Sequence, residues 1–182
     1  MDIKFYIKNF LTKVLNEEIE VYNEFSLQHE LGIYLRKILP NFKIQFERNV
    51  KYFGISDTVK HEMDIVIFND VERYAIELKF PRNGQYPETM FAFVKDIAFM
   101  EQLVDKGFNA TYCVTLVDNK NFYSGLKKDG IYSFFRADMP ITNTIVKPTG
   151  RKNISYKING NYAISWTVSE KLAYYIVDII KG

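Results

Sequence analysis

The sequence predicts an α/β fold in which helices flank a mixed β-sheet. Residues 63–80 hold two apolar runs around a polar turn, which is the pattern of a β-hairpin because β-branched and aliphatic residues favour strands. Residues 87–118 then indicate a long helix followed by an apolar strand. A strand–helix–strand order favours a crossover to a parallel neighbour. A hairpin beside a parallel strand makes the sheet mixed.

Two helices and one strand are predicted before the hairpin. Residues 2–16 place apolar side chains on one helical face. A second helix is predicted over residues 25–39, where apolar residues again recur with the helical period and Pro40 ends the helix. Residues 42–52 alternate apolar and polar side chains, which predicts a strand.

The helix after the hairpin is predicted to begin at Pro87, because proline fits a first helical turn, and to end before Gly107. Phe99 and Gln102 are expected on its exposed side. Its core-facing stripe consists of Met90, Phe93, Val94, Ile97, Met100 and Val104.

The C-terminal part has weaker patterns. A strand is predicted at residues 131–135 and a loop at residues 140–150, which contain proline and glycine. Residues 154–166 predict an additional β-hairpin, for which a three-residue loop at 159–161 aligns the apolar side chains across the strands. Residues 169–181 are expected to form a final helix.

Length and composition are typical of one domain spanning residues 1–182, with a core at about 24–118 and a basic elaboration at about 119–182. The N-terminus lacks the pattern of a targeting segment, and the sequence has no apolar run of membrane-spanning length. We therefore expect a cytoplasmic protein without a membrane partner. The single cysteine, Cys113, excludes a disulfide within the chain and is interpreted as a buried thiol.

Positive charge is concentrated in one segment, although the net charge is only +2. Residues 119–157 hold eight Lys or Arg side chains against Asp129 and Asp138. Such a basic flank suits a phosphate backbone, but a solvated lysine-rich loop explains it equally well. The candidates for nucleic-acid binding are Lys127, Lys128, Arg151 and Lys152.

Three charged side chains of the hairpin are predicted to converge. If Asp70 and Val71 form its loop, the numbers of cross-strand partners sum to 141, and Asp64 lies opposite Glu77. Lys79 shares the face of Glu77, because side chains two residues apart on a strand project to the same side. Opposed carboxylates repel each other, and buried charges are normally paired or metal-bound. The pattern predicts a magnesium site, with manganese as a substitute, since Mg²⁺ takes few protein oxygens.

The same residues resemble a known signature. Asp64, twelve intervening residues and then Glu77-Leu78-Lys79 are similar to the core motif of the PD-(D/E)xK nuclease superfamily, which has the restriction-endonuclease-like fold. In that family the motif lies on consecutive strands after one helix and before a second helix and strand. Residues 24–118 have this order. The resemblance implies that the two acids bind magnesium and that the lysine assists the hydrolytic water.

The resemblance extends to less certain positions. Met63 stands where the family has a proline. Family members often supply a further metal carboxylate from the first helix, for which Glu30 is the candidate; a favourable charge near a helix N-terminus is the equal alternative. Some members use a polar residue of the second helix near the lysine, for which Gln102 is the candidate.

These observations together predict a magnesium-dependent endonuclease, acting on DNA in restriction, repair or a mobile element. Two alternatives stay open. One is a non-cleaving nucleic-acid-binding module of the same fold. The other is an unrelated α/β protein in which the acids only cap a strand. The choice between DNA and RNA, base specificity and the formation of a homodimer also stay open.

Overall fold

The computed structural model describes residues 1–82, 84–150 and 153–180. The protein has an α/β fold with a mixed six-stranded sheet flanked by helices, and a separate two-stranded sheet. In chain order the helices and strands are α1 (Ile3–Leu15), α2 (Glu24–Ile38), β1 (Lys43–Asn49), β2 (Glu62–Phe68), β3 (Arg73–Lys79), α3 (Tyr86–Asp105), β4 (Ala110–Val117), α4 (Tyr132–Arg136), β5 (Ile141–Val146), β6 (Ser155–Tyr162), β7 (Thr167–Val168) and β8 (Ala173–Ile180).

The large sheet has the strand order β1-β2-β3-β4-β8-β7. Among the described strands only β3 and β4 are parallel, and α3 connects them, so the predicted crossover to a parallel neighbour is confirmed. The other neighbouring strands run antiparallel. The α/β class and the mixed sheet predicted from the sequence are therefore correct.

Helices α1 and α2 cover one face of the large sheet. The apolar stripe of α1 is fully buried, and the side chain of Asp2 caps the helix by accepting from the Phe5 N–H at 3.0 Å. Helix α2 approaches β1 closely through Gly32, where an added Cβ would lie 2.1 Å from Cζ of Phe46. Glycine at this position lets the helix backbone rest on the sheet.

Helix α3 lies between the other face of the large sheet and β6. Phe93 packs on Tyr175 of β8, with ring centroids 6.3 Å apart, while Phe91 packs on Tyr156 of β6 at 5.1 Å. The core-facing stripe predicted for this helix is buried. The predicted exposure of Phe99 is wrong. The large sheet covers one side of α3 and β6 covers the other, and the Phe99 ring is fully buried.

The last element is a strand, so the helix predicted at residues 169–181 is wrong. Residues 173–180 read AYYIVDII, and such β-branched and aromatic residues suit a pleated surface better than a helix. The decisive factor is tertiary, since β8 pairs along the whole of β4. Lys181 lies outside the described residues.

The hairpin predicted at residues 154–166 is also wrong. Strand β6 continues through Asn159 and Gly160 and pairs with β5, which occupies part of the predicted loop at 140–150. Glu101 of α3 explains the absence of a turn, because its carboxylate accepts from the N–H groups of Asn159 at 2.9 Å and Gly160 at 2.7 Å. Helix α3 thus stabilises the extended backbone of β6 through the Glu101 side chain.

Helix α4 replaces the strand predicted at residues 131–135. Both the backbone N–H and the hydroxyl of Ser133 donate to the carbonyl of Gly130, at 3.1 and 2.7 Å, which starts a helical turn. Phe135 is buried against Phe93, with centroids 5.7 Å apart. Across the described ranges, no helix combines the length and apolar character needed to cross a membrane.

A substitution at Glu101 tests how β6 is held. We expect Glu101→Ala to lower the free energy of unfolding by about 2 kcal/mol, because Asn159, Gly160 and the Tyr162 hydroxyl all lose a charged acceptor. Asp105→Ala, at an exposed acid of the same helix, should change it by less than about 0.5 kcal/mol. Urea unfolding measures both. Equal losses in the two variants would show that Glu101 does not anchor the strand.

Candidate functional site

The candidate site lies where β2 and β3 separate. Their pairing follows the predicted register from Phe68 opposite Arg73 to Ile65 opposite Ile76, and it stops there. One residue further along, Asp64 does not join the ladder. Its Oδ2 atom instead accepts from the backbone N–H of residue 78 in β3, at 2.7 Å. The two strands part at the acids that the register places opposite each other.

Glu77 is the most buried acid of this site, with 1 % of its surface exposed. Burial raises the pKa of its carboxyl well above the usual range, and the nearby Asp96 and Asp64 carboxylates raise it further. Oε2 of Glu77 accepts from the ammonium of Lys60. Its Oε1 atom is buried and has no hydrogen-bond partner among the described residues. A buried carboxylate oxygen without a donor is costly unless the group takes up a proton, which the raised pKa favours, or meets a cation.

Helix α3 contributes a second buried acid, Asp96, which is 4 % exposed. Its Oδ1 atom accepts from Nζ of Lys60 at 3.1 Å, and its Oδ2 atom lies 3.4 Å from Nζ of Lys79. Asp96 was not predicted as a site residue. The available signal was its spacing, because Asp96 follows Phe93 by three residues and precedes Met100 by four, so it interrupts the apolar stripe.

Lys79 is held by three oxygen atoms. Its Nζ donates to the Leu78 carbonyl at 2.8 Å, and it lies near Oδ2 of Asp96 and 3.6 Å from Oε1 of Glu24. Burial alone lowers the pKa of this ammonium, but Asp96, Glu24, Asp64 and Glu77 outweigh that effect and raise the pKa above its usual value. Lys79 is therefore protonated at neutral pH.

Helix α2 presents Glu24 and Gln28 to the site, and not the predicted Glu30. Glu24 also accepts from the N–H of Phe80 at 3.0 Å, and Nε2 of Gln28 donates to the Asp64 carbonyl at 2.7 Å. Successive helical residues are rotated by about 100°, so Glu30 lies roughly 200° around the helix from Gln28. Glu30 makes no ion pair or side-chain hydrogen bond with the part of the chain that the structure describes.

Gln102 lies close to the site but not at Lys79. Its Oε1 atom accepts from the N–H of Val59 at 2.9 Å, which ties α3 to the loop between β1 and β2. That loop carries Lys60, which no sequence motif marks. Gln102 therefore supports the site indirectly, through the loop.

The predicted basic residues lie in the segment after β4. Nζ of Lys127 is 5.3 Å from the ring centroid of Tyr132. Lys128 lines a cavity of about 530 Å³ together with Lys120 and Arg136. No acid lines this cavity among residues 1–82, 84–150 and 153–180. Two further predicted residues lie outside the described ranges, Arg151 and Lys152.

The site thus brings together charged side chains of which Glu77 and Asp96 are buried and Glu24 is nearly half exposed. Its acids are Glu24, Asp64, Glu77 and Asp96, and its cations are Lys60 and Lys79. In the described part of the chain, no three His, Cys, Asp or Glu side chains are arranged to hold a metal ion together. The Lys60 ammonium lies between the carboxylates of Glu77 and Asp96 and contacts both.

Comparisons with known proteins identify no relative. No protein-family model matches the chain, and searches of the curated proteins and of the solved structures found no significant match.

Asp64 gives the site a dependence on pH. Burial raises the pKa of its carboxyl to about 6, although Lys79 opposes the shift, whereas an unfolded aspartate titrates near 4. Because the folded pKa is higher, protonation favours folding, and this stability is fully present below about pH 4 and lost as the pH rises through about 6. In chelator, Asp64→Asn should therefore be more stable than wild type at pH 7.5, by about 1 kcal/mol.

Unfolding in urea at several pH values measures this difference. Asp70→Asn, at an exposed acid of the hairpin turn, is the control and should retain the pH dependence of wild type. Asp64→Asn should lose part of that dependence between pH 4 and 7. Identical pH profiles for wild type and Asp64→Asn would contradict the burial of a charged carboxyl at this position.

Proposed function

We propose that this protein is a magnesium-dependent nuclease that hydrolyses phosphodiester bonds, with DNA as its substrate. The observation that carries the proposal is the cluster of Asp64, Glu77 and Lys79, whose charges act on one another, and in which a buried oxygen of Glu77 has no donor in the described ranges. These are the three residues of the PD-(D/E)xK resemblance. The elements α2, β1, β2, β3, α3 and β4 also follow the order of that fold.

The residues present fit a divalent metal ion. Asp64 and Glu77 would hold it, since their carboxylates are hard oxygen ligands and Mg²⁺ needs few of these when it keeps its waters. The unpartnered Oε1 atom of Glu77 is a buried acceptor that an ion would satisfy. A metal at this position supplies activated water and offsets charge on the phosphate.

Lys79 is suited to donate hydrogen bonds and not to accept a proton. Its pKa is raised by the surrounding acids, so it stays an ammonium at neutral pH. Contacts with Leu78, Asp96 and Glu24 hold this ammonium in place before substrate arrives. A preorganised positive charge stabilises the negative charge that develops on a phosphate during hydrolysis.

The position of the basic segment supports a nucleic-acid substrate. Strands β3 and β4 are parallel, so the segment after β4 leaves the sheet at the same edge as Lys79 at the end of β3. Lys120 follows β4 by three residues. The Arg136 guanidinium is held by the carbonyls of Asn121 and Lys127, at 2.9 and 3.1 Å. It pairs with no carboxylate in the described ranges, so its charge is available to a phosphate.

One observation favours a second candidate, a nucleic-acid-binding protein of this fold that does not cut. The Lys60 ammonium already pairs with the carboxylates of both Glu77 and Asp96. A cluster that contains its own cations can be purely structural. The two candidates differ in whether magnesium binds and whether Lys79 is needed for turnover.

Removing the Lys79 charge tests the nuclease. We expect Lys79→Met to retain its fold and its affinity for DNA in calcium, and to lose magnesium-dependent cleavage by a factor of roughly 100 or more. Methionine keeps an apolar stem of similar length. Cleavage of a labelled duplex and circular dichroism are the two measurements.

Lys8→Met is the matched control, because Lys8 is exposed on α1 at the opposite face of the sheet. It should cut like wild type. Cleavage by Lys79→Met at the wild-type rate would remove the lysine from the mechanism. DNA binding without cleavage in wild type would favour the binding protein.

The basic segment has a separate test. Changing Lys127, Lys128, Arg151 and Lys152 together to Ala should weaken DNA binding and flatten its dependence on salt. Each lost phosphate contact lowers the slope of log affinity against log salt by about 0.9 on duplex DNA. Binding is measured by fluorescence anisotropy at several salt concentrations in calcium, so that cleavage does not interfere.

Four exposed lysines elsewhere serve as the control set, changed together to Ala: Lys8, Lys37, Lys43 and Lys51. This variant carries the same loss of charge as the first. A slope reduced equally in both variants would mean that net charge, and not the segment after β4, determines the affinity.

A further inference from the structure

Lys60 is the least expected member of the charged site. Its Nζ atom contacts Oε2 of Glu77 and Oδ1 of Asp96, which are the two most buried acids of the cluster. The same ammonium lies 5.6 Å from the ring centroid of Phe99. Its side chain is 21 % exposed. A single lysine thus bridges β3 and α3 at the centre of the cluster.

The two lysines are carried by different kinds of backbone. Lys79 belongs to β3, where it pairs with Thr115 of β4 inside the large sheet. Lys60 belongs to the irregular loop between β1 and β2. That loop is tied to α3 by the bond between Val59 and Gln102. Since Lys60 lies outside the strands, its flexible side chain can move away from the carboxylates without breaking the hydrogen bonds between strands.

The net charge of the cluster also favours a cation of higher charge than Lys60. When all the groups are ionised, the four carboxylates outnumber the two ammonium groups by two. An ion of charge +2 in place of the Lys60 ammonium reduces that excess to one. It also supplies a partner for Oε1 of Glu77, which Lys60 leaves unsatisfied.

We propose that Lys60 is an internal counter-ion, which holds Glu77 and Asp96 in the metal-free protein and which a divalent cation displaces when it binds at Glu77. The inference rests on the proposed function, because it concerns the same metal site. Lys60 is a positioning residue in this account. It keeps the carboxylates in place without metal and lowers the apparent affinity for metal, since the lysine-free state must first be populated.

Replacing Lys60 separates this role from a purely structural one. In chelator, Lys60→Met should melt below wild type, because two buried carboxylates lose their cation. Its dissociation constant for Mg²⁺ or Mn²⁺ alone, measured by calorimetry, should be lower than that of wild type by about tenfold or more. A structural lysine would produce the first effect without the second. Adding Glu77→Gln to Lys60→Met should abolish the tighter binding.

Two further variants complete the experiment. Lys51→Met removes an exposed lysine at the start of the same loop and should bind metal like wild type. Gln102→Met keeps Lys60 but removes the acceptor of Val59, so it should bind metal several-fold more tightly than wild type. If Lys60→Met does not fold in chelator, Gln102→Met decides the question, and an affinity equal to wild type overturns the inference.

The outcomes distinguish this inference from the proposed function. If wild type binds metal and Lys60→Met binds it no more tightly, the counter-ion role is overturned while the metal site stands. If neither protein binds Mg²⁺ or Mn²⁺, the proposed function fails and the inference fails with it. Tighter binding by Lys60→Met supports both.

Discussion

The site depends on the burial of one carboxylate. Glu77 projects from the middle of the sheet toward α3, where almost no water reaches it. A carboxylate in such a position destabilises the fold unless cations or donors offset its charge. Lys60 and Lys79 provide that charge from two separate segments, and Asp96 holds both of them. Two features of the fold meet this requirement. The loop before β2 brings Lys60 to Glu77, and α3 carries Asp96 within its apolar face.

The separation of β2 from β3 meets a second requirement, because backbone donors in the core must also be satisfied. Where the ladder ends, Asp64 takes over the N–H of Leu78, and Gln28 donates to the Asp64 carbonyl. The gap between the strands is therefore closed by side chains and not by backbone. This substitution places a carboxylate near Glu77 and gives the Leu78 N–H and the Asp64 carbonyl hydrogen-bond partners.

Glu101 provides an informative contrast with Glu77. Both acids are buried, Glu101 on α3 and Glu77 on β3, but each oxygen of Glu101 accepts at least one hydrogen bond from β6. Glu101 therefore has a structural role, since it holds β6 in place. Glu77 retains an oxygen without a donor and lies among other acids. Burial alone does not separate a structural carboxylate from one that can bind a ligand, whereas the inventory of its partners does.

The sequence by itself determined the hairpin register, the helices α1, α2 and α3, and the shared face of Glu77 and Lys79, because these follow from local periodicity. Tertiary contacts decided the C-terminal third, where pairing with β4 and the Glu101 carboxylate hold as single strands the segments predicted as a helix and as a hairpin. Tertiary contacts also bring Lys60 and Asp96 to the site, whereas Glu30 lies on a different side of α2 from Gln28. Such residues come from segments distant in the chain, and only the packed arrangement of loop, helix and sheet brings their charges together.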